Sequence, residues 1–228
     1  MTKNRNAQNN IGMIKRKVKK QTIKKSVESS SKFVVGIDEV GRGPVAGPVT
    51  VCAVLMTQDA YKDFQEGDIC EKLRDSKKLS EKKREEWFER IQEWQKDGML
   101  DFAFFNLSAG GVDKFGIVSA IQKCLNKCLE KLDTPIDARI MLDGGLQAPD
   151  KFTDQEAFIK GDANHPIIAL ASIVAKVNRD NYMKEKASEY PEYGLEAHKG
   201  YGTKKHMEAI EKYGLSNFHR KSFLKRFI

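Results

Sequence analysis

The sequence predicts an α/β layer architecture built on a mixed β-sheet. Short apolar, β-branched runs alternate with segments whose apolar residues recur at helical spacing. The first two runs stand too close together for a crossover helix, whereas the later ones alternate with helices, the mark of an α/β fold. A chain of 228 residues, 40% hydrophobic and 32% charged, can bury one sizeable core, which excludes wholesale disorder and a collagen-like repeat.

The first strand is Phe33–Ile37, ending at Asp38. The second is read over Val45–Met56, after a loop punctuated by Gly41, Gly43, Pro44, Gly47 and Pro48, and should pair antiparallel with the first. Ser80 can cap a helix carrying Trp87, Phe88, Ile91 and Trp94, which Gly98 ends. Phe102–Phe105 follows as a strand, then a helix with Val118, Ile121, Leu125, Cys128, Leu129 and Leu132 on a wide apolar stripe. Ala138–Leu142 is the next strand, Ala157–Lys160 a short one, and a helix starting at Pro166 runs toward Tyr190-Pro191. A last helix spans roughly Lys204 to Lys212 and gives the chain a small helical C-terminal part.

Charge is unevenly placed. The formal net charge is +8, yet residues 1–32 hold ten basic side chains and one acid, so 33–228 sum to −1. Residues 198–228 carry +6, which leaves −7 for 33–197. The polar segment 1–32 reads as a basic, disordered head joined to a single domain over 33–228. A chain basic at its ends suits a polyanionic partner. No apolar run reaches the ~18 residues of a membrane span, and the N-terminus lacks the apolar core of a secretory signal, so a cytoplasmic protein is expected. Cys52, Cys70, Cys124 and Cys128 lack zinc spacing; the last two, on one helical face, read as buried thiols.

Three apolar runs end in carboxylates, at Asp38-Glu39, Asp143 and Asp162. Carboxylates at strand ends converge in open α/β sheets even when distant in sequence. Clustered in a cleft they repel, and a hard divalent cation, Mg²⁺ or Mn²⁺, fits an all-oxygen set. A strand-end Asp can equally begin a turn, as in Asp143-Gly144. Adjacent strand residues point to opposite faces, so Asp38 and Glu39 share a site only if the strand ends or bends there. The glycines of Gly41-Arg42-Gly43 let backbone approach a sugar and test for a 2′-hydroxyl. Ser76 and Lys77, ahead of a helix, suit phosphate, and Lys176, Lys199 and Arg220 are further candidates for contacts to a nucleic-acid backbone. Asp180, inside a helix, reads as structural support, and none of the four histidines is assigned to catalysis.

The run Asp38-Glu39-Val40-Gly41-Arg42-Gly43-Pro44-Val45-Ala46-Gly47-Pro48 closely resembles the signature of type 2 ribonucleases H, bacterial ribonuclease HII. The likeness continues in family order through Asp75–Ser80, Leu142-Asp143-Gly144, Lys160-Gly161-Asp162, Ala171–Val177 with Arg179-Asp180, His198–Thr203 and His219–Phe223. It implies a ribonuclease H-like mixed sheet flanked by helices, with Asp38, Glu39, Asp143 and Asp162 as the metal-binding and catalytic set for two-metal hydrolysis. The implied partners are RNA–DNA hybrid and ribonucleotide-containing duplex DNA, met by a monomer. The resemblance also implies cleavage 5′ of a single embedded ribonucleotide that leaves 5′-phosphate and 3′-hydroxyl ends. By the same likeness Gly41, Arg42 and Gly43 read the ribose at the junction, and Tyr201 stacks on the following deoxyribose. Arg42 between its glycines favours ribonuclease HII over ribonuclease HIII. Asn164-His165-Pro166 and Ile168-Ala169-Leu170 depart from the small residues usual after the last aspartate, and the basic head lies outside the motif. The competing reading is a non-catalytic nucleic-acid-binding protein held by its basic ends.

Overall fold

Five strands form one sheet in the order β3-β2-β1-β4-β5 in a computed structural model that describes residues 32–67, 73 and 79–227. The strands are β1 (Phe33–Val40), β2 (Val49–Thr57), β3 (Asp101–Leu107), β4 (Arg139–Asp143) and β5 (Gln155–Phe158). β1–β2 and β2–β3 are antiparallel, whereas β1–β4 and β4–β5 are parallel, so the sheet is mixed as its spacing predicts. Helices α1 (Gln58–Glu66), α2 (Glu81–Lys96), α3 (Ala109–Phe115) and α4 (Ile117–Lys131) precede β4. Helices α5 (Gly161–Asn164), α6 (Pro166–Ala187), α7 (Leu195–His198) and α8 (Lys204–Tyr213) follow β5. The basic head, apart from Lys32, and Cys70, Ser76 and Lys77 lie outside the described residues.

Alternation along the strands sorts the two cores. Val34, Cys52, Val54, Met56 and Met141 face α2 and the N-terminal half of α6. Val35, Ile37, Val51, Ala53, Leu55, Ile140 and Leu142 face α4, whose Cys124 and Cys128 are buried free thiols; burial raises them to about 11 and about 12. Ile168, Ala169 and Leu170, which are among the residues that depart from the family pattern, are all buried in the first of these cores. Gly36 lets α6 come this close, because a Cβ there would stand 2.5 Å from the backbone carbonyl of Ile167. A third cluster, with Ala46, Met183, Tyr193, Leu195 and Ile210, joins the end of α6 to the small helical C-terminal part.

Some boundaries differ from the sequence reading, and β1 runs on to Val40, past Ile37. β2 starts at Val49 because the amides of Val45 and Ala46 donate to Gly200 O and that of Gly47 to Phe218 O, while Pro48 has none to give. β5 is Gln155–Phe158, two residues early, since Lys160 adopts a left-handed φ of 56° that ends any extended run. The short helices α1 and α3 carry only two buried residues each, too few for a legible periodicity, though Thr57 and Ser108 cap them.

Candidate active site

The site opens where two ladders part. Parallel pairing of β1 with β4 runs from Val34–Arg139 to Ile37–Leu142, whereas the antiparallel ladder with β2 continues to Val40–Thr50. Asp38 and Glu39 therefore sit in a strand that neither ends nor bends, paired on one edge and open on the other. This is the crevice beyond the carboxyl ends of parallel strands, at the point where successive connections leave in opposite directions. Asp38, Glu39 and Asp143 line one cavity of about 380 Å³ there, closed by Ser172 and Lys176 of α6 and by Arg84 of α2.

Asp38 is 3% exposed. Burial pushes its carboxyl well above the usual carboxylate range; the Ser172 hydroxyl opposes this, and the charges of Asp143 and Glu39 add to it. Glu39 is also raised, chiefly by burial, with Arg42 Nη1 at 3.5 Å from its Oε1 pulling the other way. Asp143 Oδ1 accepts from the amide of Gly161 at 2.6 Å, which ties β4 to α5 and the residue before Asp162. Asp162 is 1% exposed and does not line the cavity. Among the described residues no three His, Cys, Asp or Glu side chains are already gathered closely enough to hold a metal ion. The donor set nevertheless fits a hard cation, since three oxygen-only side chains face one cavity, where burial and then the charge of Asp143 disfavour ionisation of Asp38 and Glu39.

The Gly41–Pro48 loop forms the adjoining wall, with Gly41, Arg42, Gly43 and Tyr201 all on the cavity. Two arginines, each 0% exposed, fix its course. Arg179 of α6 donates from Nε to Pro48 O at 2.9 Å and from Nη2 to Ala46 O at 3.4 Å. Arg220 donates to Gly47 O at 3.0 Å, Arg42 O at 3.2 Å and Gly41 O at 2.7 Å. Gly41 has φ 90°, and a Cβ there would meet Arg179 Nε at 2.3 Å, so only glycine lets chain and guanidinium coexist.

The family description Ribonuclease HII matches residues 35–226. This chain belongs to the ribonuclease HII family. It is 41% identical over 196 residues to the ribonuclease HII of a Geobacillus species, covering 86% of this chain and 65% of that one. Against the ribonuclease HII of Caldicellulosiruptor bescii it is 40% identical, covering 90% of this chain and 92% of the other. Among solved structures, the ribonuclease HII of Archaeoglobus fulgidus in its PCNA complex superposes with a TM-score of 0.64 at 23% identity, over 82% of this chain and 93% of that one. Bst-RNase HIII in complex with Mn²⁺ gives 0.56 at 17% identity, over 91% and 74%. The fold is thus ribonuclease H-like, and membership of the family makes the chain a metal-dependent nuclease, a phosphodiester hydrolase.

Several ribonuclease HII residues take roles that their sequence context hides. Arg220, a candidate for phosphate, is buried and spends its donors on the loop. Ser172 and Arg179 enter the sequence reading only within the family-like block, although with Lys176 they follow α6 at spacings of four and three, which put them along one face toward the loop. Lys176 lines the cavity and pairs with Asp180 at 2.8 Å, so the helical Asp180 is a structural partner, as its i, i+4 spacing suggests. Lys199 turns to the carbonyl of Glu196. Among the described residues no helix is long and apolar enough to cross a membrane.

Proposed function

We propose that this ribonuclease HII hydrolyses the RNA strand of RNA–DNA hybrids, and that it cuts on the 5′ side of a single ribonucleotide in duplex DNA, leaving 5′-phosphate and 3′-hydroxyl ends. The supporting observation is that Asp38, Glu39 and Asp143 share one cavity with Gly41–Gly43 and Tyr201, so a reacting phosphate and a sugar-reading loop fall within one nucleotide's reach. A divalent cation, Mg²⁺ or Mn²⁺, held by these carboxylates, with Asp162 following the Gly161 whose amide bonds Asp143, would offset their repulsion and polarise the scissile phosphate. The chain's own groups divide the remaining work. Glycine backbone at 41 and 43 admits a sugar closely enough to test for its 2′-hydroxyl. Lys176 and Arg42 supply positive charge toward the phosphates, and the Tyr201 ring, 45% exposed, offers a face for the next sugar.

Incubation with Mg²⁺ or Mn²⁺ and a DNA duplex containing one ribonucleotide tests the reading. A single cut 5′ of that residue is expected; folded protein that leaves the strand intact overturns it. A non-catalytic binder would instead give steeply salt-dependent binding, indifferent to the 2′-hydroxyl and to metal.

A further inference from the structure

Tyr201 stands between Gly200 and Gly202, the most permissive backbone setting available, yet it carries an exposed ring at the cavity rim beside Gly43. Local bonds hold its backbone, from the Tyr201 amide to His198 O at 2.9 Å and from the Thr203 amide to Tyr201 O at 2.8 Å. A second hold on the Tyr201 carbonyl is a file of hydrogen bonds from the C-terminal segment. The amide of Ser216 lies 3.1 Å from His219 Nδ1 and its hydroxyl 2.8 Å from the same atom. His219 Nε2 meets His206 Nε2 at 3.1 Å, and His206 Nδ1 meets Tyr201 O at 2.9 Å.

The two ends of this file dictate the protons between them. An amide can only donate, so His219 Nδ1 accepts and its hydrogen is on Nε2. His206 Nε2 must then accept, which places the His206 hydrogen on Nδ1, facing a carbonyl that can only accept. Both rings are neutral, each in one tautomer. A proton on either accepting nitrogen would set two donors against each other. Burial accordingly lowers both, and His219 falls to about 4, with His206 adding to its shift. His206 is 0% exposed and His219 2%, and Tyr193 packs edge-on to both.

We propose that His219 and His206 form a neutral relay of fixed polarity that orients Tyr201, making both positioning residues for recognition of an embedded ribonucleotide. The inference rests on the reading of Tyr201 given under the proposed function.

The relay has a test of its own, independent of turnover. Long-range ¹H–¹⁵N spectra of the intact protein at neutral pH are expected to show His219 protonated on Nε2 and His206 on Nδ1; the opposite tautomer at either ring overturns the relay. Its effect on recognition is read from the ratio of kcat/KM on a single-ribonucleotide duplex to that on a uniform RNA–DNA hybrid, below each variant's melting transition. His206→Asn places an amide donor where Nδ1–H stood, and His206→Gln places its amide where Nε2 stood. Asn is therefore expected to hold the ratio, while Gln and Leu lower it about three- to tenfold, the effect of one lost hydrogen bond. Equal ratios for all three variants, or a fall with Asn as large as with Gln, overturn the positioning role. Tyr201→Ala separates the two claims: an unchanged ratio there refutes the reading of Tyr201 and the positioning role with it, leaving the tautomers to stand or fall by the spectra.

Discussion

Asp38 keeps its carboxyl in a place where ionisation is disfavoured, and this has a signed consequence for stability. A folded-state value raised above the unfolded one contributes stability that is complete below the unfolded value of about 3.8–3.9 and is lost as pH rises through the folded value. In chelator, Asp38 should therefore contribute a loss of stability as pH climbs toward neutrality. Asp38→Asn, neutral at every pH, should lose less, which urea midpoints across pH 4–8 (about the range where carboxylates titrate) would show. The same variant should cut more than about 100-fold more slowly, beyond the usual cost of losing an outer-sphere partner of a metal. His219 has the opposite sign. Its folded value, lowered to about 4, contributes a loss of stability as pH falls from about 6.5 toward 4, against the slope from Asp38. His219→Gln should flatten that slope in the same measurement.

Among the elements, the contact of β1 with α6 governs the cavity, because α6 carries Ser172, Lys176 and Arg179. Gly36→Ala would place a methyl 2.5 Å from backbone, which no rotamer can relieve. A loss of about 1–3 kcal/mol is expected by chemical denaturation, with weaker cleavage as the helix is displaced. The loop between β1 and β2 depends on the two buried guanidiniums instead. Among the described residues neither is bonded to a carboxylate in a salt bridge; the hydrogen bonds they make go to carbonyls, Arg179 Nη1 is buried without one, and Arg220, lowered to about 10 chiefly by burial, stays charged at neutral pH. Arg220→Met should cost on the order of 3 kcal/mol by leaving the carbonyls of Gly41, Arg42 and Gly47 short of donors, and should loosen the loop to limited proteolysis.

At the scale of the whole molecule, charge and specificity are separated along the chain. The cavity sets three carboxylates against Arg42, Arg84 and Lys176, and residues 33–228 sum to −1, while the excess positive charge lies in residues 1–32. Deleting 1–32 should weaken affinity for duplex and flatten its salt dependence, as expected when basic residues near phosphates are removed. The cut site should not move, because the loop and Tyr201 belong to the domain. Binding titrations over a salt series, together with cleavage mapping, check both halves.

The mixed sheet, the antiparallel first pair, the Ser80 cap and the stripe of α4 follow from local rules and were legible in the sequence. So was the meeting of Asp38, Glu39 and Asp143 at one cavity, because apolar runs that lead into carboxylates leave a mark in a linear text. How Asp38 and Glu39 share one cavity was not legible: it follows from β4 stopping short of β1, a register between strands about a hundred residues apart. Arg179, Arg220 and the histidine file were equally hidden. A lone Arg or His has the same local signature whether it meets solvent, phosphate or a carbonyl, and only the packing of the C-terminal segment onto the loop decides its partner.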